Sequence, residues 1–349
     1  MPVSKIDRSE ILNWLRENDE TRLAVLWRWA DRVRRENVGD DVHLRGLIEI
    51  SNYCARHCAY CGISLHSREL ARYRMAAEEI LDCVRQAVDF GYGTVVLQSG
   101  EDYGCSTEWI AALVRRIKNE TPLAVTLSLG ERPEEDLMAW RDAGADRYLL
   151  RFETSNRRLY ESIHPPLAGR VSDRIFILKR IKQLGYEVGS GVMIGIPGQT
   201  YSDLARDIET FKELDLDMIG IGPFIPHPNT PLAVDTGMVS DQQVPATELM
   251  AYKVLALTRI MCPRANIPST TALATLNKVE GRELGLARGA NIVMPNLTPP
   301  AYRILYEIYP DKACIYEDRE DCDTGLRGRI TALGRRIGAG RGDSLNRAK

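Results

Sequence analysis

Two spacings of apolar residues alternate along this chain. Short runs rich in Val, Ile and Leu occupy positions 42–50, 94–98, 123–129, 146–151, 188–194, 218–222, 266–269 and 291–294, and read as β-strands. Between them apolar residues recur every three or four positions, at 77–90, 107–119, 134–143, 170–184, 202–214, 247–261 and 280–287, as on one face of a helix. Glycine closes several of these, as in Phe90-Gly91, Ala143-Gly144-Ala145 and Leu184-Gly185. Eight strands alternating with helices predict parallel pairing through right-handed crossovers. The count is that of an α/β fold of the TIM type, a (β/α)8 barrel, at 41–312. Ahead of it Ile11, Leu12, Leu15, Leu23, Leu26, Trp27, Ala30 and Val33 recur at helical intervals among charges. Positions 1–40 therefore read as one or two amphipathic helices packed on the barrel, with Ser9-Glu10 as a start signal and Trp27 and Trp29 as packing residues. Positions 313–349 read as a C-terminal extension, partly disordered where arginine and glycine dominate from Gly325 onward.

Alternation along the strands sorts side chains to opposite faces. On the first run Val42, Leu44, Ile48 and Ile50 face the helices, and Arg45 and Glu49 the lumen. On the third, Leu123, Val125, Leu127 and Leu129 point outward and Thr126 and Ser128 inward; on the fourth, Arg147, Leu149, Arg151 and Glu153 share a face. A lumen filled only for stability is mostly branched aliphatic. Charges placed there must be paired, either among themselves or with an anionic ligand that suits a guanidinium fork. Gly189, Gly191 and Gly195 on the fifth run, and Gly220 and Gly222 on the sixth, leave room for close strand packing or for a flat ligand.

In such a barrel the chemistry sits on the loops beyond the C-terminal strand ends. Those loops carry Gln98-Ser99-Gly100-Glu101-Asp102, Ser128-Leu129-Gly130-Glu131, Arg151-Phe152-Glu153-Thr154-Ser155 and Ser269-Thr270-Thr271. The first carries Cys54-Ala55-Arg56-His57-Cys58-Ala59-Tyr60-Cys61. Three thiolates at C-x3-C-x2-C spacing leave one iron of a [4Fe–4S] cube without a protein ligand, the open position that catalytic metal sites keep. Tetrahedral zinc, with His57 or His66 as a fourth ligand, is the other reading of this spacing.

The remaining composition narrows the class. A chain of 349 residues, 44% hydrophobic, can bury the core of one large barrel. A net charge of −2 supplies no field toward nucleic acid or membrane. The N-terminus is polar, and no apolar run reaches spanning length. Eight cysteines in a chain this long do not make a secreted disulfide scaffold, and the cluster-type spacing points to a reducing cytoplasm.

The run C-x3-C-x-Y-C resembles the signature of the radical S-adenosylmethionine enzymes. In that superfamily the open iron chelates the amino and carboxylate groups of S-adenosylmethionine, and one electron breaks the sulfonium to release a 5′-deoxyadenosyl radical. Gly191-Val192-Met193-Ile194-Gly195 is similar to the element that meets the adenine there. Longer stretches resemble, more narrowly, the HydE family of [FeFe]-hydrogenase maturases. They are Ile48-Glu49-Ile50-Ser51-Asn52, Val96-Leu97-Gln98-Ser99-Gly100-Glu101-Asp102, Val125-Thr126-Leu127-Ser128-Leu129-Gly130-Glu131, Ala143-Gly144-Ala145-Asp146-Arg147-Tyr148-Leu149-Leu150-Arg151, Gly220-Ile221-Gly222-Pro223-Phe224-Ile225-Pro226-His227-Pro228 and Ile267-Pro268-Ser269-Thr270-Thr271-Ala272. The likeness runs from about Asn37 to about Tyr316. It implies that Cys54, Cys58 and Cys61 hold the cluster, that Glu153 and Arg174 meet the methionine part of the cofactor, and that Tyr60, Met193, Ile194 and Gly195 meet its adenine. Gln98, Ser99, Thr126, Arg147, Arg151, Thr270, Thr271 and Tyr306 would line the substrate end. The substrate implied is a small organometallic complex, a cysteine-ligated iron carbonyl cyanide unit attacked at its sulfur. A ferredoxin or flavodoxin as electron donor and the partner maturases of the pathway are implied with it.

Many relatives carry a second cluster site near the C-terminus at C-x7-C-x2-C spacing. Here Cys314 and Cys322 keep the first gap, but Gly325 takes the third position. Two thiolates make a poor cluster site, so no second cluster is expected; an acid such as Asp321 or Asp323 completing a weak metal site is the alternative. Cys83, Cys105 and Cys262 read as small buried hydrophobes, and His227 as a ligand contact or a loop-fixing hydrogen bond. Methylornithine synthase and biotin synthase are related barrels, but a biotin synthase needs cysteines on inward strand positions, which these strands lack. A non-catalytic iron–sulfur scaffold would need neither the adenine-side glycines nor a polar lumen. Nucleic-acid modification would need a basic patch that the barrel does not show.

Overall fold

Seven of the eight expected runs form strands in the computed structural model, which describes residues 6–233, 240–313, 315 and 319–347. They are β1 Asp41–Ser51, β2 Thr94–Ser99, β3 Ala124–Ser128, β4 Arg147–Leu149, β5 Glu187–Ile194, β6 Met218–Pro223 and β7 Ile292–Val293, and β8 Arg336–Ile337 is added near the C-terminus. The strands pair in parallel in the order β6-β5-β4-β3-β2-β1-β7, with β8 on β1. The run at 266–269 makes only single parallel bridges, Asn266 to Met218 and Pro268 to Ile292. Pro268 has no N–H to donate, so a ladder cannot propagate through it. The result is a partial TIM barrel: six laddered strands in succession, with single bridges between β6 and β7. Ile48, Val95, Leu97, Val125, Leu127, Ile219 and Ile221 point outward and are wholly buried under the helices, as the alternation predicts.

Register sets the height of each lumen residue. Arg45 lies opposite Thr94, and Thr126 opposite Arg147, which itself lies opposite Glu187. Toward the C-terminal ends Glu49 lies opposite Gln98, and Gln98 opposite Ser128. The charged lumen is therefore two layers, of which only the upper faces the loops.

The N-terminal helices span Arg8–Arg16 and Glu20–Val38 and pack on the helices Tyr201–Glu213 and Glu248–Met261. The first is capped two residues earlier than Ser9 suggests, by Asp7. Asp7 accepts from the Glu10 N–H at 2.9 Å, and the Glu10 carboxylate accepts from the Asp7 N–H at 2.9 Å, a reciprocal cap that satisfies two otherwise orphan donors. The helix expected at 170–184 begins at Arg174, capped by Asp173, and a separate short helix, Arg157–Ile163, precedes it.

The expectation of a loose C-terminal tail is corrected. Arg319–Ala332 is helical, β8 pairs with β1, and the residues after it cross the lower mouth of the barrel. Arg341 pairs with Asp146 and its carbonyl accepts from Thr94 Oγ1 at 2.8 Å; Asp343 pairs with Arg147, and the Ser344 N–H donates to Glu187 at 3.1 Å. Arginine- and glycine-rich composition usually means solvated chain. Here buried Arg147 and Glu187 demand partners, and the tail supplies them. A Cβ on Gly93 would fall 1.7 Å from the Gly340 carbonyl oxygen. Gly93→Ala should therefore displace the tail, cost about 1–3 kcal/mol in urea unfolding and expose the C-terminal residues to protease. Unchanged stability and protease resistance would contradict this packing.

Candidate active site

A cavity of about 270 Å3 opens at the C-terminal strand ends and is lined by Cys54, Cys58 and Cys61 together with Tyr60, Gln98, Ser99, Arg151, Glu153, Arg174, Met193 and Tyr306. The cysteine loop is fastened from several sides. The Ala55, Ala59 and Gly62 N–H groups donate to the carbonyls of Glu101, Ile163 and Ile308 at 2.8–2.9 Å. The Arg72 guanidinium forks onto the carbonyls of Asn52, Ile63 and Ser64. Arg56, between two of the cysteines, is buried and pairs with Glu101 and Glu131, both at 2.8 Å.

The chemistry of the three thiols fits a polynuclear cationic centre. Burial raises the pKa of all three. Cys61 is pushed up to about 12, with Cys54 adding to the effect, and Cys58 is raised further by its two neighbours. Three thiolates so close, Cys58 buried and Cys54 and Cys61 partly so, repel one another, and positive charge at their centre would relieve both desolvation and repulsion. Among the described residues no three His, Cys, Asp or Glu side chains converge as a single ion requires. His57 and His66 pack against each other with ring centres 5.3 Å apart, and His66 Nε2 meets the His57 carbonyl. Neither His57 nor His66, the fourth ligands weighed for zinc, lines the cavity, whereas a cube held at three corners needs no fourth side chain. The histidine at the thiols is His164, with Nδ1 2.9 Å from Cys58 Sγ.

Glu153 and Arg151 show room for a zwitterion. Glu153 Oε2 lies 3.0 Å from Arg151 Nη2, yet neither that oxygen nor Arg151 Nε, both buried, has an aligned hydrogen-bond partner. Glu153 has a φ of 61°, a left-handed conformation uncommon outside glycine, and is locked there by bonds from its N–H to the Gly191 carbonyl and from the Met193 N–H to its own carbonyl. A second apolar cluster of Leu159, Ile163, Met193, Ile196 and Phe224, with Tyr60 packed on it, forms a wall suited to a nucleobase.

Arg174 is committed from within. Its Nε is 2.9 Å from Glu131, Nη1 donates to the Arg151 carbonyl at 2.6 Å, and Nη2 is 3.0 Å from His164 Nε2. Burial alone would raise the Glu131 pKa, but Arg174, the Ser172 hydroxyl and Arg56 together hold it well below the usual carboxylate range. For His164 burial dominates and Arg174 adds to it, so the ring is neutral, with its pKa lowered to about 4.

Six expected site residues do not line this cavity. Arg147 and Thr126 border a separate small cavity in the lower layer, where Arg147 pairs with Glu187 and Asp343. Alternation placed Arg147 on the correct face, but one layer too low for this site. Thr270 donates to the Ile221 carbonyl at 2.9 Å and Thr271 opens the helix Thr271–Leu276, so Ala272 reaches the cavity in their place. Ile194 is fully buried in the main core. Gly195 has a φ of 80°, and its missing Cβ would lie 2.3 Å from Ala246 Cα. Gly191 serves strand packing, since a Cβ there would meet the Gly220 carbonyl oxygen at 2.0 Å, while Gly222 does open on the cavity. Of the lower charges, Arg45 donates to the Gly342 carbonyl; Glu49, in the upper layer, pairs with Lys312 and Asn296. His227 fixes its own loop by accepting from the Asn229 N–H, and Cys105 is buried against Asp102. Asp323 is occupied by Tyr92 and Arg327; Cys314 and the side chain of Cys322 lie outside the described residues.

Sequence reasoning missed His164, Arg56, Glu101 and Glu131 as one buried network. The signal present was Arg56 inside the cysteine motif, a charge on a loop whose neighbours must bury it.

A model of the radical SAM superfamily matches residues 48–211. The chain is 46% identical, over 92% of its length and 89% of the relative's, to the [FeFe] hydrogenase maturase subunit HydE of Thermotoga maritima. This chain belongs to the HydE family. It is a radical S-adenosylmethionine enzyme of the hydrogenase-maturase type, and membership of the superfamily implies the [4Fe–4S] cluster and S-adenosylmethionine. The chain is also 29% identical to the 3-methylornithine synthase of Methanosarcina acetivorans, over 78% of this chain and 75% of that one. The crystal structure of methylornithine synthase (PylB) superposes with a TM-score of 0.80 at 25% identity, covering 96% of this chain and 94% of that one. No described helix is long and apolar enough to cross a membrane.

Proposed function

We propose that this HydE-family enzyme acts on a small anionic iron carbonyl cyanide complex carrying a cysteine thiolate, held in the upper lumen beside Arg151. The observation that carries this reading is Arg151, which lines the cavity beside the cysteine loop and whose buried Nε has no aligned partner. Cys54, Cys58 and Cys61 would hold the cluster; Glu153 would take the cofactor's ammonium, with Tyr60 and Met193 against its adenine. When bound, cluster and cofactor supply a 5′-deoxyadenosyl radical, which this reading directs at the sulfur of the complex. The chain's own residues orient and shield. The wall around Met193 and Phe224 excludes water from the nucleoside. Gln98 Nε2 lies 3.4 Å from Tyr306 Oη, and burial, then Glu49, raise the Tyr306 pKa well above that of a free phenol. Tyr306 is thus a neutral donor at the substrate end. A ferredoxin or flavodoxin as electron donor and handover to partner maturases belong to the same proposal.

The test uses anaerobically reconstituted protein. About four irons per chain, an EPR spectrum perturbed by S-adenosylmethionine, and 5′-deoxyadenosine release are expected first. Adding the cysteine-bound iron complex should divert the nucleoside into a sulfur adduct, with L-lysine, probing a methylornithine-type activity, giving no product. Arg151→Lys keeps the charge but loses the fork, and should raise the KM for the complex about tenfold, or about 1.4 kcal/mol. If the complex leaves the nucleoside product unchanged, the substrate assignment is wrong while family membership stands.

A further inference from the structure

We propose that His164 is a positioning residue that raises the reduction potential of the cluster by donating its Nδ1–H to the Cys58 thiolate. The inference rests on the cluster assignment above and adds the group that tunes it. His164 is completely buried and caps the helix Arg157–Ile163. That helix end is sewn to the cysteine loop twice, through the Ala59 N–H on the Ile163 carbonyl at 2.8 Å and through the imidazole on Cys58 Sγ at 2.9 Å.

The partners of the other ring nitrogen decide where the proton sits. Nε2 is 3.0 Å from Arg174 Nη2 and 3.2 Å from Glu131 Oε1. A guanidinium can only donate, so Nε2 accepts from Arg174. Glu131 has other partners in Arg56, Arg174 and Ser172. A neutral imidazole accepting at Nε2 carries its hydrogen on Nδ1, aimed at the sulfur. A metal-bound thiolate can only accept, so the two requirements agree. An N–H aimed at a ligating sulfur favours the state with one more electron, and hydrogen bonds to the sulfurs are among the terms that set cluster potentials. The same chain of bonds continues from Arg174 to the Arg151 carbonyl, tying the Cys58 side of the cluster to the substrate side of the lumen.

The experiment is a redox titration of the reconstituted enzyme followed by EPR, for wild type, His164→Leu and His164→Asn. The asparagine amide places an N–H near the position of Nδ1; leucine fills the space without a donor. All three should hold about four irons per chain. His164→Leu should lower the midpoint so that the reduced-to-oxidised ratio at the wild-type midpoint falls about tenfold, or about 59 mV for one electron, and His164→Asn should restore most of it. A leucine midpoint equal to wild type, or an asparagine midpoint as low as leucine's, would overturn the proposal. Should His164→Leu fail to load iron, wild type labelled with 15N-histidine decides: the reduced cluster must show hyperfine coupling to a histidine nitrogen and an exchangeable proton, and its absence is fatal. Wild type that holds no such cluster would instead refute the underlying assignment of the three cysteines.

Discussion

Alanine at Cys54, Cys58 or Cys61 should reduce bound iron from about four per chain to background and abolish 5′-deoxyadenosine release. The three thiols line one cavity and no carboxylate or further cysteine borders it within the loop itself. Two remaining thiolates cannot hold a cube whose fourth corner must stay open for the cofactor. The effect should not be one of folding. Cys54 and Cys61 are only partly buried by surface and sit outside the strands, so circular dichroism and urea midpoints should stay close to wild type. Cys83→Ala is the control, because Cys83 packs in the helix Ala77–Asp89, away from the cavity. It should keep its iron and its activity. Full iron content in any of the three site variants would show that the loop is not the cluster's seat.

Glu131→Ala should be the most destabilising of the single substitutions at the site. The carboxylate lies 2.8 Å from Arg56, 2.9 Å from Arg174 and 2.6 Å from Ser172 Oγ. Removing it strands positive charge in a buried network, which costs about 3–5 kcal/mol. The pH dependence gives the sign. A carboxyl whose folded pKa is depressed contributes stability above its unfolded value and loses it as pH falls. The gap in unfolding free energy between wild type and Glu131→Gln should therefore be full at pH 7 and narrow once pH drops below about 4.5. Urea titrations at both ends of that range measure it. A gap that stays constant from neutral to acid pH would mean the carboxylate is not the charged hub described.

How much of this was legible beforehand follows the reach of each signal. Apolar runs bounded by glycine turns located the strands, and the cysteine spacing located the loop, because both are local. Alternation assigned Arg147 and Arg151 to one face and could say nothing of height. Height comes from pairing partners, and Thr126 and Glu187 on the neighbouring strands drop Arg147 to the barrel floor. The tail was misread for a related reason. Its composition is that of solvated chain, and only the buried charges at the floor, contributed by residues some 200 positions away, make order favourable. His164 carried no local mark at all: it ends a seven-residue helix that lacks an amphipathic pattern long enough to stand out.

Glu153 gives the site an evolutionary consequence. An L-residue in the left-handed region costs about 1–2 kcal/mol relative to an ordinary conformation, and glycine would hold the same φ of 61° without that cost. Drift under selection for stability alone would push this position toward glycine. A glutamate can persist there only while selection for turnover outweighs the gain, so position 153 is a place where a descendant that had abandoned the chemistry should betray itself first.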